Sequence, residues 1–237
     1  MTYKARNFAY ENPIFGRSKE AQKATPYKNS VYYLWWEFLR RNDAYKKCCV
    51  NNGKGRLKNL YRDFGDVFAV DFKTWWRTND RGADLFAEQL PAEFKLIVDG
   101  DELINNDKLI YLQIPLALPK RELLKKFHEM LDIHHEGRAG IRTNINSTAK
   151  YPITGHVDIE ALKKCLRVYD MKKEHPKMKL WELAKECNIA FAKQTGAGIT
   201  AMDSDTKLVF ANTASRLLKK AKIIIAGTVE GKFPVLK

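Results

Sequence analysis

The sequence predicts a mainly α fold with a small β hairpin, arranged as two helical domains. Apolar residues recur at helical spacing in several segments that begin with a capping residue and end near Gly, Asn or Pro. Two short runs rich in β-branched residues lie near the middle of the chain. The 237 residues are 45% hydrophobic and 30% charged, which is typical of a globular protein with a core of its own.

Residues 1–93 predict an aromatic-rich helical domain with an N-terminal arm over residues 1–29. Ser30 is a suitable N-cap for a helix that reaches Asn42, and a second short helix is expected over 44–49. Tryptophan pairs at 35–36 and 75–76 fall within periodic apolar patterns. We expect the two pairs to pack together in a core, and exposed rings that stack on bases are the alternative.

Residues 94–134 predict a hairpin followed by a basic helix. The strands are expected over 94–98 and 109–114, and Pro115 and Pro119 end the pairing. The helix is expected over 120–131, with an apolar stripe and with lysines and an arginine mainly outside it. Residues 135–156 hold three glycines and a proline and predict a linker loop.

Residues 157–237 predict a basic helical domain. Asp158 can cap a helix over 158–173, His175 and Pro176 break it, and a short helix follows over 180–187. Two helices with a short break, the second reading Leu-x-x-Leu-Ala-x-x-x-x-Ile, resemble the first two helices of a helix-turn-helix unit. A third helix is expected over 206–226, after a loop-like stretch at 190–205 that departs from the short turn of that unit.

The charge balance favours a polyanionic partner. The net charge is +14, from 42 basic and 28 acidic residues. It divides into +6 for residues 1–93 (17 basic, 11 acidic), −2 for 94–118 (2 and 4) and +10 for 119–237 (23 and 13). Basic side chains that meet phosphates release condensed counterions, so nucleic acid, DNA in particular, is the favoured partner. A membrane surface, or a basic protein with no polyanion, is the alternative.

The candidate nucleic-acid contacts come from three basic segments. The first is the stretch 44–62, which has no acidic residue, and the second is the linker loop. The third is the last predicted helix, where asparagine and arginine could contact base edges and the lysines could contact phosphates. The alternative for that helix is an ordinary solvated face. The candidates are Lys46, Lys47, Lys54, Arg56, Lys58, Arg62, Arg138, Arg142, Asn212, Arg216, Lys219, Lys220 and Lys222.

No motif predicts a catalytic residue, a cofactor or a metal ligand. Histidines 128, 134 and 135 match no metalloprotease spacing, and the carboxylates over 99–107 are typical of turn residues, with a metal-dependent nuclease as the alternative. The four cysteines show no metal-binding spacing and are expected as free thiols, although Cys48 beside two lysines could be a nucleophile. With no hydrophobic leader or membrane span in the sequence, we expect a cytoplasmic protein.

Two sets of short segments resemble parts of known bacterial proteins. Trp36–Asn42 with Tyr45, and Leu166–Asp170 with Leu180–Leu183, resemble segments of poorly characterised bacterial proteins, including transcriptional-regulator-like proteins of phages and mobile elements. The resemblance implies a regulator or an accessory factor of such an element, and it brings no catalytic residues. The alternative is a protein-interaction subunit of a larger nucleic-acid machine, such as a defence or mobile-element complex, that docks through its aromatic N-terminal half.

Overall fold

The described part of the chain, in a computed structural model, is mainly helical and comprises residues 7–16, 18, 25–88, 110–134, 147–153, 157–189 and 204–235. Short 3-10 turns occupy Pro26–Asn29 and Thr78–Asp80, and β1 (Asn7–Phe8) and β2 (Ala87–Glu88) are the strands. The α-helices are α1 (Val31–Arg40), α2 (Asp43–Val50), α3 (Lys58–Phe64), α4 (Phe72–Arg77), α5 (Arg81–Phe86), α6 (Lys120–His134), α7 (Ile159–Glu174), α8 (Leu180–Glu186) and α9 (Ser204–Thr228).

Side-chain caps explain where several of these helices begin. The Ser30 hydroxyl accepts a hydrogen bond from the backbone N–H of Tyr32 at 3.2 Å, at the start of α1. The Asp158 carboxylate accepts from the N–H of Ala161 at 2.9 Å, at the start of α7. Each cap satisfies a backbone donor that has no partner within its helix. Both predicted helix starts are confirmed.

The small antiparallel sheet is not the predicted hairpin. It pairs Asn7 with Glu88 and Phe8 with Ala87, so the N-terminal arm lies along the end of α5. The predicted strand over 94–98 lies outside the described residues. The predicted strand over 109–114 is wrong where it is described: residues 110–114 form no strand and are exposed. A β-branched composition does not make a strand without a partner backbone to pair with.

The tryptophan pairs form a core, as predicted. Trp35 and Trp75 are fully buried, and the rings of Trp36 and Trp75 lie 6.3 Å apart between centroids. The arm adds Phe8, whose ring lies 5.9 Å from that of Trp76. The alternative in which these rings are exposed for base stacking is therefore wrong for all four tryptophans.

A second, smaller cluster joins α7, α8 and α9. Its buried members are Val168, Leu183, Ala184, Cys187, Ile189 and Ala214. The Leu-x-x-Leu-Ala-x-x-x-x-Ile pattern thus supplies Leu183, Ala184 and Ile189 to this cluster, with Leu180 partly buried against it, and α9 packs along both other helices.

The main core draws on segments far apart in the sequence. The C-terminal half of α9 contributes Ala221, Ile224 and Ile225, and Phe233 stacks on Trp35 at 5.3 Å between centroids. Side chains from both ends of the chain thus share one core, and the division into separate domains stays a prediction.

The described part of the predicted linker, residues 147–153, is docked onto the core. The Glu88 carboxylate accepts from the Ser147 hydroxyl at 2.5 Å and from the Thr148 N–H at 2.6 Å. Asp63 accepts from Lys150 at 2.6 Å and from the Tyr151 hydroxyl at 2.7 Å. Two carboxylates therefore hold this segment in place, and residues 135–146 and 154–156 lie outside the described residues.

Helix α6 confirms the predicted basic helix and extends it by one turn. None of its residues is fully buried, and Leu124 and Ile133 are 50% and 78% exposed. Within the described ranges, no helix has the length and apolar character needed to cross a bilayer.

Candidate nucleic-acid interface

Helix α9 has a buried side and an exposed side, and the exposed side carries most of this helix's candidate nucleic-acid contacts. Ala214, Ala221 and Ile225 are buried on one side. The opposite side, called here the α9 exposed face, consists of Leu208, Val209, Asn212, Ser215, Arg216, Lys219 and Lys222, all of which are exposed. These positions recur at three- and four-residue spacing, so they form one stripe along the helix.

The α9 exposed face is strongly positive toward its C-terminal end. Asp205 is the single acidic residue between Ser204 and Thr228, and it lies in the first turn. Among the residues that the structure describes, no carboxylate pairs with Arg216, Lys219 or Lys222. These three cations are therefore available to a polyanion, and each would neutralise a phosphate without breaking an internal ion pair.

Lys220 differs from the other candidates in this helix. It is half-buried, and its ammonium acts on the Cys165 thiol across the interface with α7. Burial raises the pKa of Cys165 to about 11, and Lys220 opposes that rise. Lys220 therefore does not belong to the α9 exposed face, whose members are all exposed.

Contacts at both ends fix the position of α9. Near its start, the Lys207 ammonium lies 5.3 Å from the centroid of the Trp181 ring in α8. Near its end, the Asn42 side-chain amide donates to the Ile225 carbonyl at 2.9 Å. A helix held at both ends presents its exposed side chains in a fixed arrangement, which lowers the entropy lost on binding.

Asn42 also connects the start of α2 to the end of α9. Its side-chain oxygen caps α2 by accepting from the Tyr45 N–H at 3.1 Å, while its amide bonds to the last turn of α9. The residue that caps α2 thus contacts the last turn of α9. The sequence showed two separate basic segments, and this buried asparagine links the helix that begins the first to the end of the helix that carries the second.

All six candidates in the stretch 44–62 are exposed. Lys46 and Lys47 line a shallow surface groove with Asp43, Val50 and Asn51. Lys173 of α7 adds a further cation there, with its ammonium 3.8 Å from the Asp43 carboxylate. Sequence reasoning missed Lys173, because only the fold brings the end of α7 to the start of α2.

Several alternatives can be compared with the structure. Cys48 is buried and burial raises the pKa of its thiol, which disfavours the thiolate that an activated nucleophile needs. All four cysteines are free, as predicted. In the described segments, no group of three or more histidine, cysteine or acidic residues could hold a metal ion. Arg138, Arg142, His135 and the carboxylates over 99–107 lie outside the described residues.

Comparison with known proteins found no matching family model, no matching curated protein and no matching solved structure. The functional argument therefore depends on this chain's own residues.

Proposed function

We propose that the protein binds nucleic acid, with duplex DNA as the favoured form, through the α9 exposed face. The observation that carries the proposal is the row of Arg216, Lys219 and Lys222, exposed on one side of a helix whose other side is buried. Fixed cations on a rigid helix attract phosphates through Coulomb forces and counterion release. Lys46 and Lys47 are further exposed cations on α2, the helix whose N-cap Asn42 bonds to the last turn of α9.

The arrangement of α7, α8 and α9 supports a helix-turn-helix-like interpretation. The three helices share a small buried cluster, and α9 follows α8 as the recognition helix follows its partner in such units. The connection from Asn188 to Ser204 is much longer than the usual turn of about three or four residues. The unit proposed here is therefore a variant with an insertion before its third helix.

A role as a regulator or accessory factor of a bacterial or mobile genetic element extends this proposal. It depends on the resemblance of the Trp36–Asn42 segment to regulator-like proteins. The alternative stays a protein-interaction subunit that docks through its aromatic N-terminal half. The tryptophan pairs at 35–36 and 75–76 are buried in the core, so other residues of that half would form the docking surface.

Fluorescence-anisotropy binding to duplex DNA, single-stranded DNA and structured RNA across a salt series tests the proposal. We expect the tightest binding to duplex DNA, with an affinity that falls steeply as salt rises, because each phosphate contact releases counterions. Weak binding to all three, with no dependence on salt, would defeat the proposal.

Single substitutions test the assignment of the surface. Arg216→Ala and Lys219→Ala should each weaken binding and reduce the slope of log affinity against log salt by about one. Lys125→Ala is a matched control, since it removes an exposed lysine of α6 whose ammonium lies 3.8 Å from Glu129. Equal losses in the control and in the two α9 variants would show that total charge, not this surface, determines binding.

A further inference from the structure

The α9 exposed face changes its chemistry along the helix. The members of the α9 exposed face in the first half, Leu208, Val209, Asn212 and Ser215, carry no charge, and the exposed Asp205 lies about one turn before them. Leu208 and Val209 are 60% and 47% exposed and lie in the first turns of a helix that buries its other side. Every cation of the α9 exposed face lies in the second half, at Arg216, Lys219 and Lys222. The face thus has a neutral half and a cationic half.

The neutral half carries the groups that recognise one kind of base pair. An asparagine amide can bond in a bidentate manner to the N6 and N7 of adenine, and apolar side chains contact the thymine methyl group. Both partners belong to A·T pairs and both lie in the major groove. Phosphate binding alone would explain the cations, but it gives no reason for exposed leucine and valine on the same face.

The spacing of the two halves fits a helix that enters a major groove. Lys219 and Lys222 lie 7 and 10 residues after Asn212, which is about 10 and 15 Å along the helix axis. The major groove of B-form DNA is about 12 Å wide, so a helix whose first half touches base edges brings its second half to the phosphates at the groove margin. The major groove of A-form RNA is too narrow for side chains to reach the base edges there.

We propose that the first half of α9 reads A·T base pairs in the major groove of duplex DNA, while its second half holds the phosphates. Asn212 contacts adenine, and Leu208 and Val209 contact thymine methyl groups. Arg216, Lys219 and Lys222 set affinity without setting sequence preference. This inference rests on the proposed function and adds to it the base composition of the recognised site and the residues that recognise it.

Selection of bound duplexes from a randomised DNA library tests the inference. We expect the full-length protein to enrich sites with A·T pairs. Asn212→Ala should reduce the preference for the selected site over a G·C duplex by about 5- to 150-fold, the range of one good base contact. Its binding to the G·C duplex should stay unchanged. Lys219→Ala should weaken binding to both duplexes by the same factor.

Thr213→Ala is the matched control in the same helix, because the Thr213 hydroxyl bonds to the Val209 carbonyl at 2.9 Å within α9. It should keep both affinity and preference. Tight, salt-dependent binding without enrichment, or equal loss on both duplexes in Asn212→Ala, would overturn the inference and leave the proposed function standing. Absence of salt-dependent binding to any duplex would defeat the proposed function itself.

Discussion

Hydrogen bonding distinguishes two tryptophans that are equally buried. Trp35 and Trp75 both have no exposed surface. The indole N–H of Trp75 donates to the Phe64 carbonyl at 2.6 Å, whereas that of Trp35 is buried without an acceptor among the described residues. A buried donor without a partner costs free energy, so the two side chains contribute differently at the same burial.

Replacement by phenylalanine should therefore separate the two sites. Trp75→Phe should lower the free energy of unfolding by about 1–2 kcal/mol more than Trp35→Phe, because it alone loses a hydrogen bond while both lose similar ring volume. Urea unfolding followed by far-UV circular dichroism measures both. An equal or larger loss for Trp35→Phe would show that ring packing, not the Phe64 contact, decides the cost.

At the scale of elements, local signals in the sequence predicted α1, α2, α6, α7, α8 and α9, but gave no bounds for the shorter helices α3, α4 and α5. Ser30 and Asp158 act on backbone groups two or three residues away, so the sequence alone shows them. The β1–β2 pair joins residues about 80 positions apart, and it is only two residues long on each side. No local pattern can indicate such a pair, because its stability comes from what the rest of the fold places beside it.

Some features of the candidate interface could likewise be predicted from the sequence, and others could not. The exposure of Arg216, Lys219 and Lys222 follows from the 3.6-residue period of α9 and was predictable. The position of Lys220 was not, because it depends on where α7 crosses α9. Asn42 could be recognised as a helix cap, but its bond to Ile225, 183 residues away, could not.

The docked segment 147–153 makes the free energy of unfolding depend on pH in the acid range. Burial alone would raise the pKa of Glu88, but bonds from Ser147, Thr148 and Ala149 outweigh it and hold the pKa below 4.5. For Asp63, burial is likewise outweighed by Lys150 and Tyr151, and its pKa lies below 3.8. A lowered native pKa means that the unfolded chain binds protons more readily, so this stabilisation is present above about pH 4.5 and is lost as pH falls through the native values.

Glu88→Gln tests this dependence directly. The variant should be less stable than the wild type at pH 7, and its stability should fall less between pH 5 and pH 3, because it has no carboxylate to protonate at this site. Urea midpoints at pH 7, 5, 4 and 3 would show the difference. Glu174→Gln, which removes an exposed carboxylate at the end of α7, should follow the wild-type curve. Parallel curves for wild type and Glu88→Gln would contradict the prediction.

At the scale of the whole molecule, one aromatic contact joins the two ends of the chain. Phe233 is fully buried, stacks on Trp35 and lies 5.6 Å from the Phe38 ring between centroids. Arg41, which follows α1, donates to both carboxylate oxygens of Asp170 in α7. Segments assigned by sequence to separate domains therefore share apolar and ionic contacts, and such sharing favours cooperative unfolding.

We expect a single unfolding transition, with tryptophan fluorescence and far-UV circular dichroism giving the same midpoint. Phe233→Ala should shift the whole transition and lower the free energy of unfolding by about 3–5 kcal/mol, the usual cost of removing a buried ring. Leu116→Ala, at a position that is 86% exposed, should change it by less than about 0.5 kcal/mol. Two separate transitions, of which Phe233→Ala moves only one, would instead support independent domains at 1–93 and 157–237. The α9 exposed face could then be studied in the C-terminal piece alone, whereas a single transition requires the full chain for every binding measurement.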